Sequence, residues 1–164
     1  MNFYFALKAL YSNTWARVRV NQYQTDPFPT PSGVRQGDTL SPTLFIAFMS
    51  DLSVQLNESP HKISMGSVCL NHLLHADDIV LLADSPSSLQ TLIDSLAQWC
   101  EEWGLAVNID KTKIVHFRKR RQSRCVETFS INGQPIEYVE HYKYLGVYFD
   151  EFLTFKTNAK FLSA

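Results

Sequence analysis

Asp77 and Asp78 stand side by side in an otherwise apolar run, Leu73-Leu74-His75-Ala76-Asp77-Asp78-Ile79-Val80-Leu81-Leu82. Aspartate is depleted in strands and is almost never fully buried without a partner. Two ionised carboxylates ~6 Å apart repel by roughly 3 kcal/mol at an effective dielectric near 20. Either solvent at an exposed turn or a bound cation must offset that cost. The bland reading is a turn, where aspartate is common. The chemical reading is a metal site. Acids at a hairpin tip can hold two divalent ions ~3.5–4 Å apart, which stabilise the attacking and leaving oxygens of an in-line phosphoryl transfer. Oxygen-only ligands favour Mg²⁺ or Mn²⁺ over zinc.

A second group fits the same chemistry. Gly33 and Gly37 frame Arg35-Gln36. The glycines allow close backbone approach to a ligand, and Arg35 and Gln36 offer donors to phosphate, sugar or base edges. A loop that merely enters a helix needs one glycine. The run Arg118-Lys119-Arg120-Arg121, with Arg124 nearby, could contact phosphates, act as a nuclear localisation signal, or form a solvated loop. Cys69, His72 and His75 have metal-ligand types, but three-residue steps along a strand alternate faces, which argues against zinc. No Gly-x-Ser-x-Gly elbow is present.

The elements that position these residues follow from periodicity. Residues 1–12 read as a helix end, and Trp15 to Val20 alternates like a strand. Asp26 to Ser32 holds three prolines and is predicted as a loop. Ser41-Pro42 and Ser85-Pro86 each read as an N-cap followed by proline at the first helical position. Leu44, Phe45, Phe48, Met49, Leu52 and Leu56 follow the first at helical spacing. Leu89, Leu92, Ile93, Leu96, Cys100 and Trp103 follow the second. Strands are predicted over Ile63–Leu70, over Leu73–Leu82 folded into a tight hairpin at Asp77-Asp78, over Ala106–Ile109 and over Ile114–Phe117. Asn132-Gly133 marks a two-residue turn between Thr128–Ile131 and Pro135–Val139. The pattern predicts an α+β layered domain with helices on one face of an antiparallel sheet.

The 164 residues suffice for a domain with a real core, and 45% hydrophobic with 19% charged residues suits a soluble globular chain. A formal net charge of −1 gives no global signal for nucleic acid or membrane, so electrostatic arguments must be local. Three widely spaced cysteines without a C-x-x-C favour reduced thiols in the cytoplasm or nucleus. Met1 to Leu10 makes a poor signal peptide, so secretion is not expected, and no apolar stretch reaches the length of a membrane span.

Gly33-Val34-Arg35-Gln36-Gly37-Asp38-Thr39-Leu40-Ser41-Pro42-Thr43-Leu44-Phe45 resembles the B motif of reverse transcriptases from non-LTR, LINE-like retrotransposons. Ala76-Asp77-Asp78 resembles their C motif. Trp103-Gly104-Leu105, Asn108, Lys111 and Thr112 resemble the D motif, and Tyr144-Leu145-Gly146-Val147 the E motif. The ordered set covers residues 33–147.

The resemblance implies a polymerase palm-like sheet followed by the start of a thumb, without fingers: a partial palm over 1–117, then a basic loop, hairpin and thumb start over 118–164. It implies that Asp77 and Asp78 are catalytic metal ligands for Mg²⁺ or Mn²⁺ in the complete polymerase, Asp77 the more direct. Lys111 would protonate or neutralise the departing pyrophosphate. Arg35, Gln36 and Gly37 would approach the template and nucleotide, and Tyr144, Leu145 and Gly146 would hold the primer. The implied partners are an RNA template, a DNA primer and deoxynucleotides.

Two departures stand out. His75 stands where the family usually has Tyr or Phe. The upstream strand aspartate of polymerase palms has no counterpart, since Asp26, against Pro27 in the proline-rich loop, is the only acid before Gly33. The expectation is a fragment that is inactive in isolation. Its alternative is a non-catalytic truncated palm that binds nucleic acid or a partner. A third reading, a phosphotransfer or cyclase enzyme on a palm-like fold, is disfavoured by the Arg-Gln loop.

Overall fold

The computed structural model describes residues 2–162. The chain divides into two compact units, residues 1–49 and 50–164.

The first unit opens with α1 (Phe3–Tyr11), capped by the Asn2 side chain, which accepts from the Tyr4 N–H. Two small hairpins nest within each other. β1 (Trp15–Ala16) pairs with β4 (Phe28–Pro29), and β2 (Arg19–Val20) pairs with β3 (Tyr23–Gln24). The single strand predicted over Trp15–Val20 is therefore interrupted. The proline-rich segment is not all loop either, because proline is tolerated in a short edge strand such as β4. α2 (Ser41–Glu58) starts in this unit. Ser41 is not the predicted N-cap: its hydroxyl turns back to donate to the Arg35 carbonyl (2.5 Å). Asp38 shapes the turn that leads into the helix, its Oδ1 accepting from the Leu40 N–H (3.0 Å).

In the second unit, α2 continues through Leu52 and Leu56, both fully buried. Two hairpins follow: β5 (Ile63–Met65) with β6 (Val68–Leu70), and β7 (His72–His75) with β8 (Asp78–Leu81). α3 (Pro86–Glu102) has the predicted Ser85 cap and Pro86 at its start. Its helix-spaced residues Leu92, Ile93, Leu96, Ala97, Trp99 and Cys100 are buried. Each fully buried aliphatic side chain is worth roughly 1.5–3 kcal/mol.

One face of α3 packs on a three-stranded sheet of β10 (Phe129–Ile131), β11 (Gln134–Tyr138) and β9 (Lys113–Ile114). Ile93, Ala97, Ile114, Phe129, Ile131 and Ile136 form that core. Gln90 clips helix to sheet: its Nε2 donates to the Ser130 carbonyl (2.8 Å) and its Oε1 accepts from the Ser130 N–H (3.2 Å). On another side, Trp99 Nε1 donates to Asp51 Oδ2 (3.1 Å) and Gln55 Nε2 to the Ser95 carbonyl (3.1 Å). The last elements are the hairpin β12 (His141–Tyr144) with β13 (Val147–Asp150), and α4 (Lys156–Leu162).

The fold is mixed α and β with short, mostly antiparallel sheets and four helices. The described residues hold no single central sheet; their sheets have two or three strands, and β9 runs parallel to β11. The expected strand Ala106–Ile109 is absent and Ile114–Phe117 shrinks to Lys113–Ile114. The reason is a turn: the Thr112 N–H donates to the Asn108 carbonyl (3.0 Å), and the Asn108 side chain accepts from the Lys111 N–H (3.1 Å). Asn132-Gly133 closes the β10–β11 hairpin as expected, with φ of 50° and 77°. No helix among the described residues is long and apolar enough to cross a membrane.

Candidate functional site

The β7–β8 hairpin is anchored at its base and open at its tip. Asn71, fully buried, donates through Nδ2 to the Leu56 carbonyl (2.7 Å), and its own carbonyl accepts from the Leu82 N–H (2.8 Å). That donation leaves Asn71 Oδ1 as the acceptor facing His72 Nδ1 (2.7 Å). The His72 proton therefore sits on Nδ1, and Nε2 accepts from Ser53 Oγ (2.8 Å). Both ring nitrogens are committed. Burial, and secondarily the charge of Lys62, lower the His72 pKa. Sequence reasoning weighed His72 only as a metal ligand and missed Asn71 and Ser53. The available signal was a polar pair wedged between two apolar runs, since a buried polar group must find partners.

At the tip, the turn lies one residue earlier than expected. His75 pairs with Asp78, so Ala76 and Asp77 form the two-residue loop and Asp78 begins β8. Ala76 has φ of 52°, a conformation that L-residues adopt at a cost of roughly 1–2 kcal/mol. Strain of this kind gathers at functional sites. Asp77 and Asp78 are both exposed. Among the described residues neither carboxylate has a hydrogen-bond or ion-pair partner.

The hairpin that resembles an E motif comes within electrostatic range of Asp78. Tyr144 is half-buried at the end of β12; burial first, and the negative charge of Asp78 second, raise its phenol above the ordinary tyrosine range. Leu145 and Gly146, with φ of 48° and 85°, make the β12–β13 turn. From the same strand, Tyr142 Oη donates to the Lys111 carbonyl (3.1 Å). β12 thus touches the Lys111 turn, and Tyr144 at its end feels the Asp78 charge. Lys111 itself is exposed. Tyr142 was not singled out from sequence.

The residues resembling a D motif begin with a helix stop. The Leu105 N–H donates to the Cys100 carbonyl (2.7 Å) and the Gly104 N–H to the Glu101 carbonyl (3.2 Å). With Gly104 at φ 66°, this is a Schellman C-cap. Trp103-Gly104-Leu105 ends α3 and turns the chain toward Asn108 and Lys111.

In the first unit, Arg35 is engaged locally. Its Nη2 donates to the Leu10 carbonyl (2.6 Å) and its guanidinium lies 5.4 Å from the Tyr11 ring centroid, at the C-terminal end of α1. Gln36 is exposed. Gly33 and Gly37 both have φ of 87°, with open space where a Cβ would stand.

The basic run divides in two. Arg118 Nη2 and Arg124 Nη2 bind the two oxygens of buried Glu151 at 2.9 and 2.7 Å. The hydrogen bond from Arg124, then that from Arg118, hold the Glu151 carboxyl below the usual range. Lys119, Arg120 and Arg121 are exposed, with no carboxylate partner among the described residues. Asp150, next to Glu151, accepts from the Thr154 hydroxyl (2.5 Å) and the N–H groups of Phe152 and Thr154.

The family model described as reverse transcriptase (RNA-dependent DNA polymerase) matches residues 1–149. The chain is 32% identical over 158 residues to the RNA-directed DNA polymerase from mobile element jockey of Drosophila melanogaster, covering 93% of this chain and 17% of that protein. It is 30% identical over 167 residues to the probable RNA-directed DNA polymerase from transposon BS of the same organism, covering 96% and 18%. Against the retrovirus-related Pol polyprotein from type-2 retrotransposable element R2DM, also of Drosophila melanogaster, identity is 31% over 136 residues, covering 77% and 13%. The chain spans about a sixth of the length of the curated relatives it matches.

Proposed function

Because the chain belongs to the reverse transcriptase family of non-LTR, LINE-like elements, we propose that it is the palm segment of an RNA-directed DNA polymerase, with Asp77 and Asp78 as its metal-binding carboxylates. The supporting observation is the β7–β8 tip, where two adjacent carboxylates stay exposed and unpartnered on a strained turn. Exposed oxygen donors without a competing ion pair suit Mg²⁺ or Mn²⁺. Two carboxylates make only part of a coordination shell, so further oxygens must come from other protein groups, substrate and water. A bound divalent ion would supply charge neutralisation for phosphoryl transfer.

The chain's own residues have positioning roles in this reading. Asn71, His72 and Ser53 hold the base of the hairpin so that its tip presents both acids in one place. Tyr144 offers a neutral phenol beside Asp78, and the Leu145-Gly146 turn supplies backbone for a primer strand. Lys111, on a turn fixed by Asn108 and Tyr142, is the candidate donor to the departing pyrophosphate. Gln36 and Gly37 leave open backbone for the template and nucleotide. A second reading, a segment that binds nucleic acid without catalysis, is supported by the scarcity of acids in the first unit: Asp38 is tied to Tyr11 and Leu40, and Asp26 precedes proline.

Mn²⁺ titration of the purified chain, followed by electron paramagnetic resonance, tests the metal assignment. Binding that is lost in Asp77→Asn supports it. Binding unchanged in an Asp77→Asn/Asp78→Asn variant would remove the hairpin from the metal site.

A further inference from the structure

Where α2 and α3 adjoin, the chain presents a face of one charge sign. Neither helix carries a Lys, Arg or His. Asp51, Val54, Gln55 and Glu58 recur at the steps of three and four residues that share one stripe of a helix. With Gln98 of α3 they line an open cleft of about 400 Å³. Asp94 and Glu102 lie one helical turn to either side of Gln98 and extend the face along α3. Hydrogen bonds between the helices fix the cleft's frame: Trp99 Nε1 donates to Asp51 Oδ2 and Gln55 Nε2 to the Ser95 carbonyl.

The acids stand where they work against local stability. Among the described residues Asp51, Glu58, Asp94, Glu101 and Glu102 have no ion-pair partner. Asp94 and Glu102 accept from the neutral amides of Gln90 and Gln98, which leaves their charge uncompensated. Glu58 is the last residue of α2, and Glu101 and Glu102 are the last two of α3. Acids there meet the negative end of the helix dipole, which disfavours them. Like charges on adjoining stripes add to that cost. Val54, in the middle of the α2 stripe, is 61% exposed. Bound cations would relieve the charge, and an apolar group would cover Val54. A nucleic acid strand would be repelled.

We propose that the α2–α3 cleft docks a Lys- or Arg-rich segment of another protein, its cations on Asp51 and Glu58 and an apolar side chain against Val54. Charge complementarity selects this occupant. Asp51 and Glu58 are spread over roughly 10 Å of helix axis, which suits successive side chains of a basic segment better than one ion. No group of three or more metal-ligand side chains among the described residues is placed to hold a metal. An apolar and basic segment laid along a helical groove is an established recognition mode. The site uses neither Asp77 nor Asp78 and serves a protein partner, so it goes beyond the polymerase reading.

The test is fluorescence anisotropy of the full 164-residue chain with a labelled Lys-Leu-Lys-Lys-Leu-Lys-Lys-Leu-Lys peptide, without divalent ions. Saturable binding should weaken as ionic strength rises from about 0.01 to 0.15 M, which shortens the screening length from roughly 30 to 8 Å. Asp51→Asn/Glu58→Gln should bind about 10-fold more weakly at the lower salt, as expected for two lost ion pairs. Glu58→Gln alone, at an exposed position, should cost about 2–5-fold and keeps the test open if the double variant misfolds. Val54→Asn should weaken binding without changing its salt dependence. Glu127→Gln removes an acid outside the cleft, and Asp77→Asn/Asp78→Asn removes the candidate metal ligands. Both should bind as the parent does, so a failure of the metal assignment leaves this result intact. Absence of saturable binding, or parental affinity in both cleft-charge variants, would overturn the proposal. So would a loss in Glu127→Gln equal to that in Glu58→Gln, which would reduce the effect to net charge. Displacement by spermidine as readily as by unlabelled peptide would overturn it too.

Discussion

Tyr144 lies within the electrostatic reach of Asp78, and the carboxylate helps to keep the tyrosine phenol protonated. The two residues are far apart in sequence and end two different hairpins, β12–β13 and β7–β8. The Asp78 charge thus acts across the two hairpins that resemble the C and E motifs, and Tyr142 bonds the Lys111 turn to the strand that carries Tyr144.

That relationship is measurable. Removing the Asp78 charge by Asp78→Asn should lower the Tyr144 pKa, because a carboxylate disfavours the phenolate beside it. The value should stay above that of free tyrosine, since burial is the larger cause. A ring-carbon NMR titration of Tyr144 reads it directly. An unchanged titration would mean that the two groups do not interact.

His72 makes stability depend on pH. Its folded pKa is lowered below the ordinary histidine value, by burial and then by Lys62. The unfolded chain therefore binds the proton more readily than the folded one. Stability is full above about pH 6.5 and is lost progressively as pH falls through the lowered folded pKa. Denaturant midpoints measured at descending pH should fall across this window, and His72→Gln should flatten that part of the profile. A profile identical in the variant would contradict the assignment.

Gly104 is a conformational requirement. An added Cβ meets nothing within 4 Å, so Gly104→Ala tests backbone conformation alone. The left-handed φ of 66° should make the substitution cost ~1–2 kcal/mol, read as a lowered urea midpoint. No loss would mean that the Schellman turn relaxes freely.

Much of the frame around the candidate site could be read in the sequence because its signals are local. Ser85-Pro86 and Asn132-Gly133 set a helix start and a turn through capping and φ preferences alone, and both stand where expected. The Asp77-Asp78 turn was legible as a hairpin but misplaced by one residue, because aspartate favours turns and alanine at φ 52° does not. Other features depend on partners distant in the chain. Arg118 and Arg124 look like free cations until Glu151 arrives from 33 and 27 residues away. His72 looks like a ligand until Asn71 and Ser53 occupy its ring nitrogens. Arg35 looks available until the Leu10 carbonyl takes one of its donors.

The 164-residue chain by itself should not extend a primer. Phosphoryl transfer of this class depends on positioned divalent ions and little covalent chemistry from the protein. The chain offers Asp77 and Asp78 to that task, while Asp38 is engaged by Tyr11 and Leu40. Extension assays with Mg²⁺ or Mn²⁺ on RNA and DNA templates check this. Metal-dependent extension would mean that another carboxylate of the chain completes the site.

Asp77 is proposed as a catalytic metal ligand. Primer extension by a complete polymerase in which residues 1–164 are embedded, parent against Asp77→Asn, tests it most directly. Loss of a ligand worth several kcal/mol of transition-state stabilisation predicts a fall of ~10³-fold or more, with folding unchanged by circular dichroism. Extension within a few-fold of the parent rate would take Asp77 out of the mechanism.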